Sequence, residues 1–268
     1  VKVVTKNEIT NKTTAEALNF YRIINPNNLR NMYHHIGVYL YKFSSLKKFE
    51  NWMNIVREWK DLEWKEVDKL KSDNSTPMHV LRVVKAVEEV LDGNCMLCID
   101  GGDTQAWTDS SYVIKKPGNY VKGGPLGCMG VGVPFAIGSK VAYPDRQVVL
   151  ISGDGAAGMN LMEFESAVRH NIPFLCIVCN DKSWGMTKHQ HWLNYGKENT
   201  PAGHEMPFIK FHEIVKSMGG YGELVEDPKD LIEDLKIEKD KQTKVMRAID
   251  KLDKPGFGLK AVSYTHLT

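Results

Sequence analysis

Hydrophobic residues along this chain fall into three patterns. The first is a set of short, unbroken apolar runs: CMLCID at 95–100, QVVLIS at 147–152 and PFLCIVCN at 173–180. Runs of this length, with no polar alternation, predict strands buried on both faces. The second is helical spacing between those runs. Val80, Val83, Val84, Val87 and Leu91 mark one side of a helix over 78–91, and NLMEFESAVRH predicts another over 160–170. Further helices are expected at 208–218 and 228–250, with a short strand near 221–225 and a last one at 257–263. Strands and helices that alternate in this way predict an α/β fold, a parallel sheet with helices on both faces.

The third pattern is the segment 46–70, where Trp52, Ile55, Val56, Trp59 and Leu62 recur at three- and four-residue steps between charges. This amphipathic helix is expected to pack against the body of the protein, with a partner-binding stripe as the alternative. Ser72-Asp73-Asn74-Ser75-Thr76-Pro77 then breaks it as a linker. Residues 1–45 are polar, rich in Asn and Lys, and only weakly periodic. The chain does not begin with Met, and Val1 reads as mid-domain sequence, so a piece of a longer protein is expected. The closing 263–268 fits nothing before it and reads as a tail of foreign origin.

Charge and composition narrow the picture. The 35 basic and 33 acidic residues nearly cancel, and no basic block alternates with aromatics, so nucleic acid is an unexpected partner. No apolar run reaches the roughly 20 residues of a membrane span, and no secretory signal opens the chain. Cys95, Cys98, Cys176 and Cys179 form two Cys-x-x-Cys pairs, a spacing that in other settings binds zinc. Both pairs lie in strand-like runs, where residues i and i+3 point to opposite faces, so buried core thiols are expected instead. That usage fits a reducing, cytoplasmic setting. Asn11-Lys-Thr and Asn74-Ser-Thr match the glycosylation pattern but carry meaning only with secretion. His34-His35 is expected to be an ordinary surface or packing pair.

The chemistry concentrates after the second buried run. Gly153-Asp154-Gly155 is followed by 24 residues and then by Asn180-Asp181. A strand–helix–strand unit of that length returns the chain to a neighbouring parallel strand by a right-handed crossover. Asp154 and Asn180 are then expected at the carboxyl tips of adjacent strands, the edge where open α/β sheets bind ligands. A carboxylate, an amide oxygen and loop carbonyls are hard donors, suited to Mg²⁺ or Ca²⁺. Gly155, Ala156 and Ala157 are small enough for backbone N–H groups to approach an anion ahead of a helix. Together these features predict a metal-bridged diphosphate site.

Gly-Asp-Gly between a buried strand and a helix, with Asn-Asp closing the next strand, resembles the cofactor-binding domain of a thiamine-diphosphate enzyme superfamily. That superfamily holds acetolactate synthase, benzaldehyde lyase and 2-hydroxyacyl-CoA lyase. The likeness runs over roughly 77–262 and is densest from Gly123 to Gln190, while 46–76 resembles the linker that precedes this domain in acetolactate synthases. Residues 1–45 would then be the remnant of a middle domain. The resemblance implies that Asp154, Asn180 and the main-chain oxygen of Lys182 ligate Mg²⁺. It implies diphosphate contacts from Gly153, Gly155, Ala156 and the loop Gly101-Gly102-Asp103-Thr104, with Trp184, Gly185 and Met186 also lining the cofactor. The Gly127 carbonyl would accept the cofactor's 4′-amino group. Met129 would wedge beneath the bent cofactor, although on its own it reads equally as core filling.

Some positions depart from the acetolactate synthase pattern. Asp103 stands where those enzymes carry a Gln-His pair, and its carboxylate is expected to lend only its backbone or to point away. Asp181 replaces a second Asn, and Ser183-Trp184-Gly185-Met186-Thr187 looks more like benzaldehyde lyase. His189 and His191 are expected to face solvent or pack on their helix, and Glu163 and Glu165 to be helix-face carboxylates. No catalytic residue is expected within this chain, because the activating glutamate of the superfamily belongs to a separate pyrimidine-binding domain. The implied function is a carboligase or lyase acting on 2-oxo acids, working as a homodimer or homotetramer. A 2-hydroxyacyl-CoA or oxalyl-CoA lyase and a non-catalytic cofactor-binding subunit are the alternatives. A nicotinamide-binding reading fails because Gly127, Gly130 and Gly132 lack Gly-x-Gly-x-x-Gly spacing.

Overall fold

The computed structural model describes residues 2–5, 17–21, 32–34, 43–91, 93–200, 202–241 and 248–249. The strand expected at 257–263, the 263–268 tail, Asn11 and His35 lie outside the described residues. Two compact units divide between Trp59 and Lys60.

In the first unit, β1 (Lys2–Thr5), β2 (Ala17–Tyr21) and β3 (Met32–His34) form an antiparallel sheet in the order β2-β1-β3. These strands were not expected from the weak periodicity of 1–45. The helix α1 spans Phe43–Lys71 and so crosses the division between the units. Of its apolar stripe, Trp52, Ile55, Trp59 and Leu62 are exposed, Trp59 by 69%, and Val56 is half-buried.

The second unit is built on a four-stranded parallel sheet, β4 (Met96–Asp100), β5 (Tyr120–Val121), β6 (Val148–Gly153) and β7 (Leu175–Cys179), in the order β5-β4-β6-β7. All five residues of β4 and of β7 are buried, which is why they read as unbroken apolar runs. Successive side chains point to opposite faces and feed two cores. Leu97, Ile99, Val149, Ile151, Leu175 and Ile177 join one face with Val83, Val87 and Val90 of α2 (Val80–Val90) and with Leu231 and Leu235 of α9 (Pro228–Lys241). Cys98, Leu150, Cys176 and Val178 join the other with Val133 and Ala136 of α4 (Gly132–Ala142), Phe164 of α6 (Glu163–Arg169) and Phe211 of α8 (Phe211–Ser217). Each such aliphatic side chain contributes about 1.5–3 kcal/mol of burial, offset against chain entropy. The same alternation splits both Cys-x-x-Cys pairs: Cys95 and Cys179 lie in the first core, Cys98 and Cys176 in the second.

Several boundaries differ from expectation. The single helix expected at 160–170 is two, α5 (Asp154–Met159) and α6, broken at 160–162. Helix α3 (Asp103–Ser111) starts inside the expected diphosphate loop, and α7 (Gly185–Tyr195) follows β7. The charged helix is described over Pro228–Lys241, and Ala248–Ile249, expected to lie within it, forms β9, parallel to β8 (Leu224–Val225). Among the described residues no helix is long and apolar enough to cross a membrane.

Candidate functional site

Parallel strands end on one edge, and the register sets which tips are level. Asp100 pairs with Ser152, and Gly153 pairs with Cys179, so Asp154 and Asn180 each follow immediately on adjacent strands. Both are buried, to 4% and 2% exposure. Their oxygens converge on one donor: the Lys182 N–H reaches Asp154 Oδ2 at 2.8 Å and Asn180 Oδ1 at 3.3 Å. The orientation of the amide is set from behind, since Asn180 Nδ2 donates to the Ile209 carbonyl at 3.0 Å and leaves Oδ1 on the site side. Lys182 holds a left-handed φ of 59°, which folds the chain back so that its N–H points into the pair. The Lys182 carbonyl, the third ligand implied by resemblance, accepts the Met206 N–H at 2.7 Å, leaving one lone pair for another partner.

Electrostatics favour a cation here. Burial, and then the charge of Asp181, push the Asp154 carboxyl up to about 7, against the Gly155 and Lys182 amides that donate to it. Burial raises Asp181 as well, while the Ser183 hydroxyl and amide cap its two oxygens at 2.9 and 3.1 Å. No Lys, Arg or His side chain forms an ion pair with Asp154 among the described residues. A buried carboxylate beside a second carboxylate and an amide oxygen is a donor set of hard oxygens, and it fits a divalent cation. No cluster of three or more His, Cys, Asp and Glu offers a competing centre among the described residues.

Two glycines at the strand tips lie hard against side chains from a neighbouring tip. The Gly155 N–H donates to its neighbour Asp154 Oδ1 at 2.7 Å, and a Cβ there would lie 2.6 Å from the Trp184 ring. A Cβ on Gly102 would lie 2.6 Å from Met186 Cβ. Trp184 and Met186 therefore lie over the glycines of the neighbouring tips, and bare backbone is required to admit them. Ala156 is buried behind this layer, and Thr104 is buried with its carbonyl accepting the Thr108 hydroxyl. Gly153 sits beside Thr104, whose Oγ1 would lie 3.3 Å from an added Cβ.

At the far end, Gly127 takes a left-handed φ of 61° closing the turn Gly124–Leu126, and Met129 is 40% exposed. Met129 is therefore not core filling.

The Asp103 side chain is engaged by the protein itself: its Oδ2 lies 2.6 Å from His189 Nδ1, joining the start of α3 to α7. The same carboxylate crowds the start of α7, lying 2.7 Å from where a Gly185 Cβ would stand. This pair, separated by 86 residues, carries no sequence signal. His191 contacts the Asn199 carbonyl at 2.9 Å, and Glu165 pairs with Arg169 on the surface of α6.

Comparison with known proteins gives this geometry its family. The thiamine pyrophosphate enzyme C-terminal TPP-binding domain matches residues 100–248. The chain is 35% identical over 159 residues to the acetolactate synthase large subunit IlvG of Mycobacterium tuberculosis, covering 59% of this chain and 29% of that protein. It is 29% identical over 214 residues to the acetolactate synthase large subunit of Buchnera aphidicola from Schlechtendalia chinensis, covering 78% and 36%. It is 30% identical over 177 residues to human 2-hydroxyacyl-CoA lyase 2, covering 65% and 27%. The chain thus spans about a third of the length of these relatives. By the extent of the domain match, which begins at the buried Asp100 and takes in both strand tips, the chain belongs to the thiamine pyrophosphate enzymes, within their C-terminal TPP-binding domain.

Proposed function

We propose that this chain supplies the diphosphate- and Mg²⁺-binding half of an acetolactate-synthase-like carboligase or lyase that acts on 2-oxo acids. The observation that carries the reading is the convergence of Asp154 Oδ2 and Asn180 Oδ1 on a single point at neighbouring strand tips. Asp154, Asn180 and the Lys182 carbonyl would hold Mg²⁺, whose charge would offset the repulsion between the diphosphate and these carboxylates. Gly102, Asp103, Thr104, Gly153, Gly155 and Ala156 flank the diphosphate, while Trp184, Gly185 and Met186 close over it. Gly127 and Met129 orient the ring end. Thiamine diphosphate supplies a nucleophilic carbon and an electron sink for decarboxylation. The chain's part is to bind and orient, which makes later proton transfer effectively unimolecular.

In this reading the activating carboxylate comes from a pyrimidine-binding domain separate from 77–262, and the cofactor domain by itself turns over negligibly. In this reading 1–45 belongs to a middle domain, 46–76 to a linker and 77–262 to the cofactor domain. The working enzyme is a cytoplasmic homodimer or homotetramer. A 2-hydroxyacyl-CoA lyase activity is the second reading, favoured by the likeness to proteins of that name. The test is calorimetry of thiamine diphosphate with the chain, with and without Mg²⁺. Binding that requires Mg²⁺ supports the reading, and cation-independent or undetectable binding sinks it. Profiling 2-oxo acids against 2-hydroxyacyl-CoA esters on the protein encoded with its upstream sequence separates the two activities.

A further inference from the structure

One buried carboxylate has no part in the metal site. Asp100, the last residue of β4, is 3% exposed, and its partners are all backbone. Oδ2 accepts the Gly132 N–H at 2.6 Å and Oδ1 the Gly101 N–H at 2.7 Å. The amides of Gly130 and Val131 also donate towards it. Gly132 opens the 11-residue helix α4, so the carboxylate closes the amino end of that helix, where unpaired N–H groups gather.

The fit leaves no room for a side chain. A Cβ on Gly132 would stand 2.6 Å from Asp100 Cβ and 2.8 Å from Leu150 Cδ1. From the other side, the Asn160 side-chain amide donates to the Gly130 carbonyl. Residues 130–132 are thereby pinned between Asp100 and Asn160, and Met129 directly precedes the pinned segment with its side chain exposed. An exposed methionine has little packing of its own to fix its place. Its position is inherited from the backbone behind it.

Resting on the functional reading above, we infer that Asp100 is a positioning residue for the ring end of the cofactor, acting through residues 130–132 on Met129 and Gly127. The diphosphate end is positioned separately, by Asp154 and Asn180. An aspartate is required rather than its amide. Asparagine presents an NH₂ to a cluster of backbone N–H donors and leaves at least one of them unpaired.

The test separates the two ends of the ligand. The full chain is titrated with thiamine diphosphate and with inorganic pyrophosphate, each with Mg²⁺. Asp100→Asn is expected to weaken thiamine diphosphate binding about tenfold, the equivalent of one lost buried hydrogen bond, and to leave pyrophosphate within about twofold. In a double-mutant cycle, Asp100→Asn on a Met129→Ala background is expected to add less than about twofold, because both changes remove one effect. Equal loss for both ligands marks a merely structural role and overturns the inference, as does full additivity in the cycle. If Asp100→Asn does not fold, Asp100→Ser keeps an acceptor oxygen with room for a bridging water and must show the same selective loss. A wild-type chain that binds neither ligand instead removes the functional reading beneath.

Discussion

At the tips of β6 and β7 the polar groups are buried, cross-bonded and held from behind. At the Gly-rich segment 123–132, facing the same edge, Leu126 is 88% exposed and Met129 40%. The first region has its ligand oxygens oriented by Lys182 N–H and the Ile209 carbonyl. The second has only its backbone fixed, by Asp100 and Asn160, and offers apolar side chains to whatever comes next. The difference teaches how a site can be divided. In the proposed reading, the end that would hold charge is prebuilt, because a buried carboxylate without oriented partners is costly. The end that would hold the cofactor's ring needs only a placed backbone.

The largest expected effect breaks the prebuilt end. Asp154→Ala removes the central anionic ligand and should weaken Mg²⁺-dependent thiamine diphosphate binding by at least about a hundredfold, read by calorimetry. Retained binding would show that the tips of β6 and β7 are not the cation site.

Gly155→Ala tests whether that end tolerates any shift. The added methyl meets the Trp184 ring at 2.6 Å. Overpacking of this kind costs about 1–3 kcal/mol, which should appear as a melting temperature lower by several degrees. Trp184 fluorescence should change with it, and an unaltered spectrum would mean the ring had never lain there.

A pH scan sharpens the electrostatic half of the comparison. Asp154 titrates near 3.9 in an unfolded chain, and burial followed by Asp181 raises it to about 7 in the fold. Its contribution to stability is therefore fully present below about pH 4 and is lost as pH rises through 7. The metal-free chain should melt progressively lower over that window relative to Asp154→Asn, and saturating Mg²⁺ should cancel the loss at pH 8. A difference between the two chains that does not vary with pH would contradict the assignment.

The smallest effects belong to the exposed groups. Asp103→Asn separates a partly exposed pair and should change stability by no more than about 1 kcal/mol by thermal melting. Leu126→Ser, at a position almost wholly in solvent, should leave the melting temperature of this chain unchanged within about 1 °C. A large loss there would mean that the open end is as prebuilt as the buried one.

Much of the fold and part of the site could be read from the order of residues alone. CMLCID, QVVLIS and PFLCIVCN could only be buried strands, and the 24 residues between Gly155 and Asn180 could only be a crossover. Parallel strands joined that way end on one edge, so Asp154 and Asn180 had to be neighbours. Composition and periodicity are local signals, and they carried these conclusions because the constraints themselves are local or topological. They carry no sign that the spaces beside Gly155 and Gly102 are filled by the Trp184 and Met186 side chains, which come from another strand tip.

Asp100 and the Asp103–His189 pair belong wholly to the tertiary structure. An aspartate closing an apolar run is an ordinary strand end until Gly132, 32 residues on, is seen to bring its amide within 2.6 Å. A histidine 86 residues from its carboxylate has no spacing that could announce it. The sequence by itself determined which strands are buried and which edge carries Asp154 and Asn180, because pleat and crossover follow from chain geometry. Only the packed structure decided which side chain meets which backbone, because those contacts depend on where separate loops come to rest against one another.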